Sequence, residues 1–326
     1  MIFITLKKTI QLFKKHKFLF FLIIILIVSL TSIIYSFVYY SNLEKQGNFI
    51  LYTDIPYQDE KKVDYDIKYN YLDIYVPKET TLDKLPVMIF VHGGAWTNFF
   101  GNKDKRRNYL LKGIYFTNND FILVNINYRV YPDFDFPTYP KDVSKAISWV
   151  YENIEDYNGN KDLIFIKGHS AGAQLVSLVA TDEKYLKENN LNLNVLKGVV
   201  LLEGVGYDIL RAKEFDIDSQ MVNRYLMFPF GDDNSILKEA SSINYIEKNK
   251  NIPSMILFTA ENTIFRIAKI EALDFYLRLI DSDVYAEYYI SPRKNHSTLN
   301  RYFGEEDDFT THKTKLFLDR IIRYNS

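Results

Sequence analysis

Residues 168–172 read Gly-His-Ser-Ala-Gly, set between the apolar run 163–166 and the helix-patterned run 174–180. A serine flanked in this way fits a sharp strand-to-helix turn, in which a side chain at either glycine would collide with the neighbouring strand or helix. That turn is a nucleophile elbow. The pentapeptide alone is a weak signal, and its surroundings make it specific. Upstream, the strand-like run 86–91 ends in His92-Gly93-Gly94-Ala95-Trp96, a glycine-rich loop whose backbone amides are candidates for an oxyanion hole. Downstream, His296 follows another strand-like run, 284–290.

Between these landmarks strand and helix patterns alternate. Residues 69–76 suit an early edge hairpin strand closed by Pro77, and 121–126, 163–166, 195–202, 255–258 and 284–290 read as further strands. Val143, Ala146, Ile147, Val150 and Ile154 fall at helical spacing, and 267–280 and 316–322 are helical in pattern. Such alternation predicts an α/β class with a mostly parallel central sheet and helices on both faces.

The first forty residues stand apart. Residues 18–40 carry no charge and as a helix would span about 34 Å, against a hydrocarbon core of about 30 Å. Lys7, Lys8, Lys14, Lys15 and Lys17 precede the run, so the positive-inside rule predicts a single-pass anchor with a cytoplasmic N-terminus and an extracytoplasmic catalytic domain. A cleaved signal peptide is the alternative, with a shorter apolar core and an A-x-A-like site as its marks. The expected organisation is a basic cytoplasmic segment (1–17), a transmembrane anchor (18–40), a stalk (41–65) and one globular domain (66–326).

The chain has 40 basic and 41 acidic residues; beyond residue 41 the balance is 35 to 41, which gives no electrostatic reason to expect nucleic acid. Cysteine is absent, excluding disulfides, thiolate metal sites and a cysteine nucleophile. Residues 103–107 read as a solvated charged face, with a membrane-surface patch as the alternative.

The motifs Leu72-Asp73-Ile74-Tyr75-Val76-Pro77, His92-Gly93-Gly94-Ala95-Trp96, Tyr128-Arg129 with Pro137 and Asp142, and Gly168-His169-Ser170-Ala171-Gly172-Ala173 resemble those of α/β-hydrolase esterases of the HGG-loop type, over about residues 66–300. The branch resembled most contains feruloyl-esterase-like and kynurenine-formamidase-like enzymes. The resemblance implies hydrolysis of a small-molecule carboxylic ester or related acyl compound, with no cofactor or metal.

Within that frame Ser170 is the expected nucleophile and His296 the expected base, while Gly93, Gly94 and Ala171 are the expected oxyanion donors. His169 is expected to point away from the nucleophile, and Trp96 to wall the acyl pocket or to pack in the core. The acid departs from the family pattern. Thr263 holds the place after the 255–258 strand where such families usually carry an aspartate, and threonine cannot supply the negative charge that steadies an imidazolium. Glu203, ending the run 199–202, is the expected acid, because a glutamate terminating an apolar strand is expensive to bury without a partner; Glu261, another acid or none are the alternatives. Asp142 and Asp208 are expected to be structural, with Arg129 pairing with one of them. An amidase or peptidase, or a degenerate domain acting as a binding module, are the competing functions.

Overall fold

The computed structural model describes residues 21–31, 34, 47–59, 66, 68–98, 106–215 and 227–325. The chain forms two compact units, 1–46 and 47–326. In the first, residues 21–31 are helical. Among the described residues no helix is long and apolar enough to cross a membrane, and the remainder of the 18–40 span expected to do so lies outside the described residues, apart from Ile34.

The second unit is built on an eight-stranded sheet in the order β1-β2-β4-β3-β5-β6-β7-β8. The strands are β1 (Phe49–Pro56), β2 (Tyr71–Pro77), β3 (Leu85–Val91), β4 (Ile122–Ile126), β5 (Gly159–His169), β6 (Leu196–Leu202), β7 (Ser254–Ala260) and β8 (Ala286–Ser291). β2 runs antiparallel to both β1 and β4, and the six strands from β4 to β8 are parallel to one another.

Among the described residues, the helices include α1 (Arg106–Asn118), α2 (Thr138–Asn153), α3 (Ala171–Thr181), α4 (Arg266–Asp281), α5 (His296–Arg301) and α6 (Phe309–Asn325). The strand side chains alternate between two cores. Val87, Ile89, Val91, Ile164 and Ile166 pack on one face with α2, α3 and α4, whereas Met88, Phe90 and Phe165 pack on the other with Phe116 of α1 and Phe317 and Ile321 of α6. Burial on both faces explains why β3 and β5 read as unbroken apolar runs rather than as alternating ones.

Two expectations are corrected. The stalk predicted over 41–65 contains β1, and the compact unit begins at Gly47. The central side chains of β1 are exposed, so the strand carries no buried stripe to betray it; it is held by main-chain pairing with β2. β2 is therefore interior rather than an edge. Residues 103–105 of the expected charged face lie outside the described residues, and Arg106 and Arg107 begin α1.

Candidate active site

The parallel strands end in register, which brings their C-terminal loops together. Val91 pairs with Gly168, His169 with Leu202 and Leu202 with Phe258. Chain order reverses between β3 and β5, the place in an open α/β sheet where a crevice opens beyond the strand ends.

Ser170 sits there, between the last residue of β5 and the first of α3, with φ 55° and ψ −125°. A non-glycine residue in this region is strained, and the surroundings hold it: the Ser170 amide donates to Leu202 O at 2.9 Å, and the Ser170 carbonyl accepts from the amides of Ala173 and Gln174. A Cβ at Gly172 would lie 2.3 Å from Val91 O, so only glycine lets α3 approach the end of β3 this closely. Every residue of α3 is buried, and its N-terminal turn, beginning with the Ala171 amide, opens beside Ser170.

His296, the first residue of α5, places Nε2 3.0 Å from Ser170 Oγ. Asn295 caps this helix: its side chain accepts from the Thr298 amide while the Thr298 hydroxyl accepts from the Asn295 amide. On the other side of the imidazole, Nδ1 lies 3.2 Å from Glu203 Oε2. Glu203 directly follows β6, adopts φ 41°, and is fully buried. Its amide donates to Phe258 O at 2.7 Å, while Oε1 has no hydrogen-bond partner among the described residues.

Glu261 and Thr263 are placed elsewhere. The Glu261 carboxylate accepts from the Arg293 amide at 2.7 Å on the exposed surface, and the Thr263 hydroxyl accepts from the Phe265 amide at 3.0 Å. The Phe265 ring stands edge-on to His296, with centroids 4.8 Å apart.

The glycine-rich loop lies against the serine. A Cβ on Gly93 would come 3.0 Å from Ser170 Cβ and 2.8 Å from His169 O. Gly94, Ala95 and Trp96 all have positive φ, which turns the loop away from β3. The loop is fixed from behind: His92 Nε2 meets Asn127 Oδ1 at 2.8 Å, and Tyr128 stacks on the His92 ring while donating its hydroxyl to His92 O. Trp96 is 2% exposed, donates to Gln174 Oε1 and meets the edge of Phe230, so it packs in the core.

Arg129 and Asp142 form a buried bidentate pair, Nε–Oδ2 2.8 Å and Nη2–Oδ1 2.6 Å, and the Arg129 amide also donates to Asp142. Asp208 caps the short helix Ile209–Phe215 by accepting from the Arg211 amide. A further buried carboxyl, Glu271 of α4, accepts from the Gly206 amide at 2.8 Å and the Asp208 amide at 3.3 Å, bracing the loop that follows Glu203. Burial pushes its pKa up to about 8 despite those two donors. Nothing in the sequence marks Glu271, which sits within an ordinary helical pattern.

A serine on a strained strand-to-helix turn, approached by an imidazole and backed by a carboxylate at the C-terminal edge of a largely parallel sheet, defines an α/β-hydrolase fold. The solved esterase B of Lactobacillus rhamnosis superposes with a TM-score of 0.69 at 17% identity, covering 90% of this chain and 96% of that one. The sequence model of the BD-FAE family matches residues 72–277, more than half of the chain, and the chain belongs to that family. It is 38% identical over 120 residues to a probable isoprenylcysteine alpha-carbonyl methylesterase of Arabidopsis thaliana, covering 37% of this chain and 24% of the relative. It is 41% identical over 112 residues to esterase LipQ of Mycobacterium tuberculosis, covering 34% and 26% respectively. The chain thus spans about a quarter of the length of these two curated relatives.

Proposed function

We propose that the chain is a serine hydrolase of carboxylic esters. The observation that carries this reading is the row Ser170 Oγ, His296 Nε2 and Nδ1, Glu203 Oε2, with spacings of 3.0 and 3.2 Å. Membership of the BD-FAE family and the names borne by the esterase relatives support it.

In this mechanism His296 takes the proton of Ser170 as Oγ attacks the acyl carbon. Glu203 holds the Nδ1 proton and steadies the imidazolium that forms. The negative charge on the former carbonyl oxygen is received by amides of Gly93, Gly94 and Ala171. His296 then passes its proton to the departing alcohol, leaving an acyl-serine. A water molecule, deprotonated by the same imidazole, attacks the acyl carbon; the acid is released and Ser170 regains its proton.

We further propose that residues 18–40 anchor the chain with the hydrolase domain on the extracytoplasmic side. The uncharged run and the lysines before it support this arrangement. A membrane-impermeant fluorophosphonate probe tests both proposals. The full chain in intact cells should label rapidly and the Ser170→Ala variant not at all. Absence of labelling in detergent lysate would overturn the hydrolase reading, and labelling confined to lysate would overturn the topology.

A further inference from the structure

We propose that His169 is a positioning residue for the base: it ties the main chain of His296 to the nucleophile strand by donating its Nε2 proton to the His296 carbonyl. The inference rests on the reading of His296 as the base. Beyond the expectation that this side chain points away from the nucleophile, His169 Nε2 lies 3.0 Å from His296 O, and the two rings are 4.8 Å apart. A carbonyl only accepts, so the bond requires a proton on Nε2, which in the neutral ring leaves Nδ1 bare.

The surroundings favour this neutral tautomer. Burial most strongly disfavours a positive charge on the ring, and the charges of His296, Lys167 of the same strand and Lys112 of α1 act in the same direction, whereas the bond to the His296 carbonyl opposes them. The balance holds the imidazole well below the ordinary histidine range. Nδ1 faces the glycine-rich loop, where a Cβ at Gly93 would come within 3.2 Å of it. One ring therefore lies between the oxyanion loop and the base.

Residue 296 needs such a tie. The contacts with Ser170 and Glu203 orient its imidazole, but they do not fix where its main chain stands. Apart from the main-chain bonds internal to α5, the other anchors among the described residues grip neighbours: Asn262 donates to Lys294 O, Asn295 and Thr298 cap each other, and Lys112 Nζ donates to Asn300 O at the far end of α5. His169 bonds residue 296 itself. A displacement of about 1 Å at a reacting group costs on the order of 100-fold in rate.

The test compares three variants. His169→Gln keeps a donor three bonds from Cβ, as Nε2 is; His169→Asn has a donor one bond short; His169→Phe keeps bulk without a donor. With a short-chain p-nitrophenyl ester, Asn and Phe should lower kcat about 10- to 100-fold with KM nearly unchanged, and Gln should restore it to within about threefold of wild type. Wild-type kcat in His169→Phe, or a Gln variant as slow as Phe, would overturn the proposal. Where Phe fails to fold, the Gln and Asn pair gives the same comparison. A second readout is independent of turnover. The ¹⁵N imidazole spectrum of the full chain, assigned through these variants, should show His169 protonated at Nε2 and bare at Nδ1 at neutral pH. A ring protonated at Nδ1 defeats the proposal. A correct tautomer in a wild-type protein that neither turns over nor labels leaves the tie standing and removes the hydrolase reading.

Discussion

Glu203 Oε2 stands 3.2 Å from His296 Nδ1 across 93 residues of chain, and it reaches that position from the end of β6 rather than from the loop after β7. Glu203→Gln keeps the shape but presents no fixed negative charge to the imidazole. Its kcat should fall by about 10³- to 10⁴-fold. Glu261→Gln, altering a surface carboxylate that receives the Arg293 amide, should change kcat less than about threefold. Steady-state kinetics on a p-nitrophenyl ester decide between them, and the reverse ranking would reassign the acid.

Gly93→Ala introduces a methyl group 3.0 Å from Ser170 Cβ and 2.8 Å from His169 O. The loop must shift to admit it, moving amides away from the developing oxyanion. A loss of about 10²- to 10³-fold in kcat is expected, with far-ultraviolet circular dichroism unchanged. Full activity in this variant would place the oxyanion donors elsewhere.

Asp142→Asn removes the carboxylate charge that faces Arg129 in an interior where both side chains are nearly inaccessible. Breaking a buried pair from one side typically costs about 3–5 kcal/mol. The urea midpoint should drop accordingly, while Lys141→Gln, on a surface pair with Glu188, should leave it within about 0.5 kcal/mol.

Glu271 predicts a pH-dependent stability. Its folded pKa of about 8 lies above the ordinary 4.5, so folding takes up a proton. The wild type has this group's full contribution below about pH 4.5 and loses it progressively as pH rises to about 8. Glu271→Gln cannot ionise. Its melting temperature relative to wild type should climb by at least a few degrees across that window, roughly 2–4 °C for each kcal/mol, and level off above it. A constant difference from pH 5 to 9 would mean that Glu271 does not titrate there.

Much of this arrangement was legible in the chain because it depends on local rules. The glycines of the elbow, the apolar runs of β3, β5 and β6 and the helical spacing of α2 each leave a mark in a short stretch of sequence, even where the contacts that require them are distant. β1 was not legible: its cohesion comes from backbone pairing with β2, and its central side chains face solvent. The strand ends could be read, so the gathering of Ser170, Glu203 and His296 at one edge of the sheet could be anticipated. Which atoms meet there could not. The elbow motif reserves position 169 without saying that its ring reaches a carbonyl 127 residues away, and Glu271 lies in a helix whose pattern hides its two backbone donors.

With Glu203 at the end of β6 facing His296 Nδ1, the proposed mechanism asks no carboxylate of the turn between β7 and α4, and Phe265 from that turn stands edge-on to the imidazole. Under the proposed mechanism, substitutions at 262–265 would remodel the rim around His296 without touching the Glu203 carboxylate that faces its Nδ1.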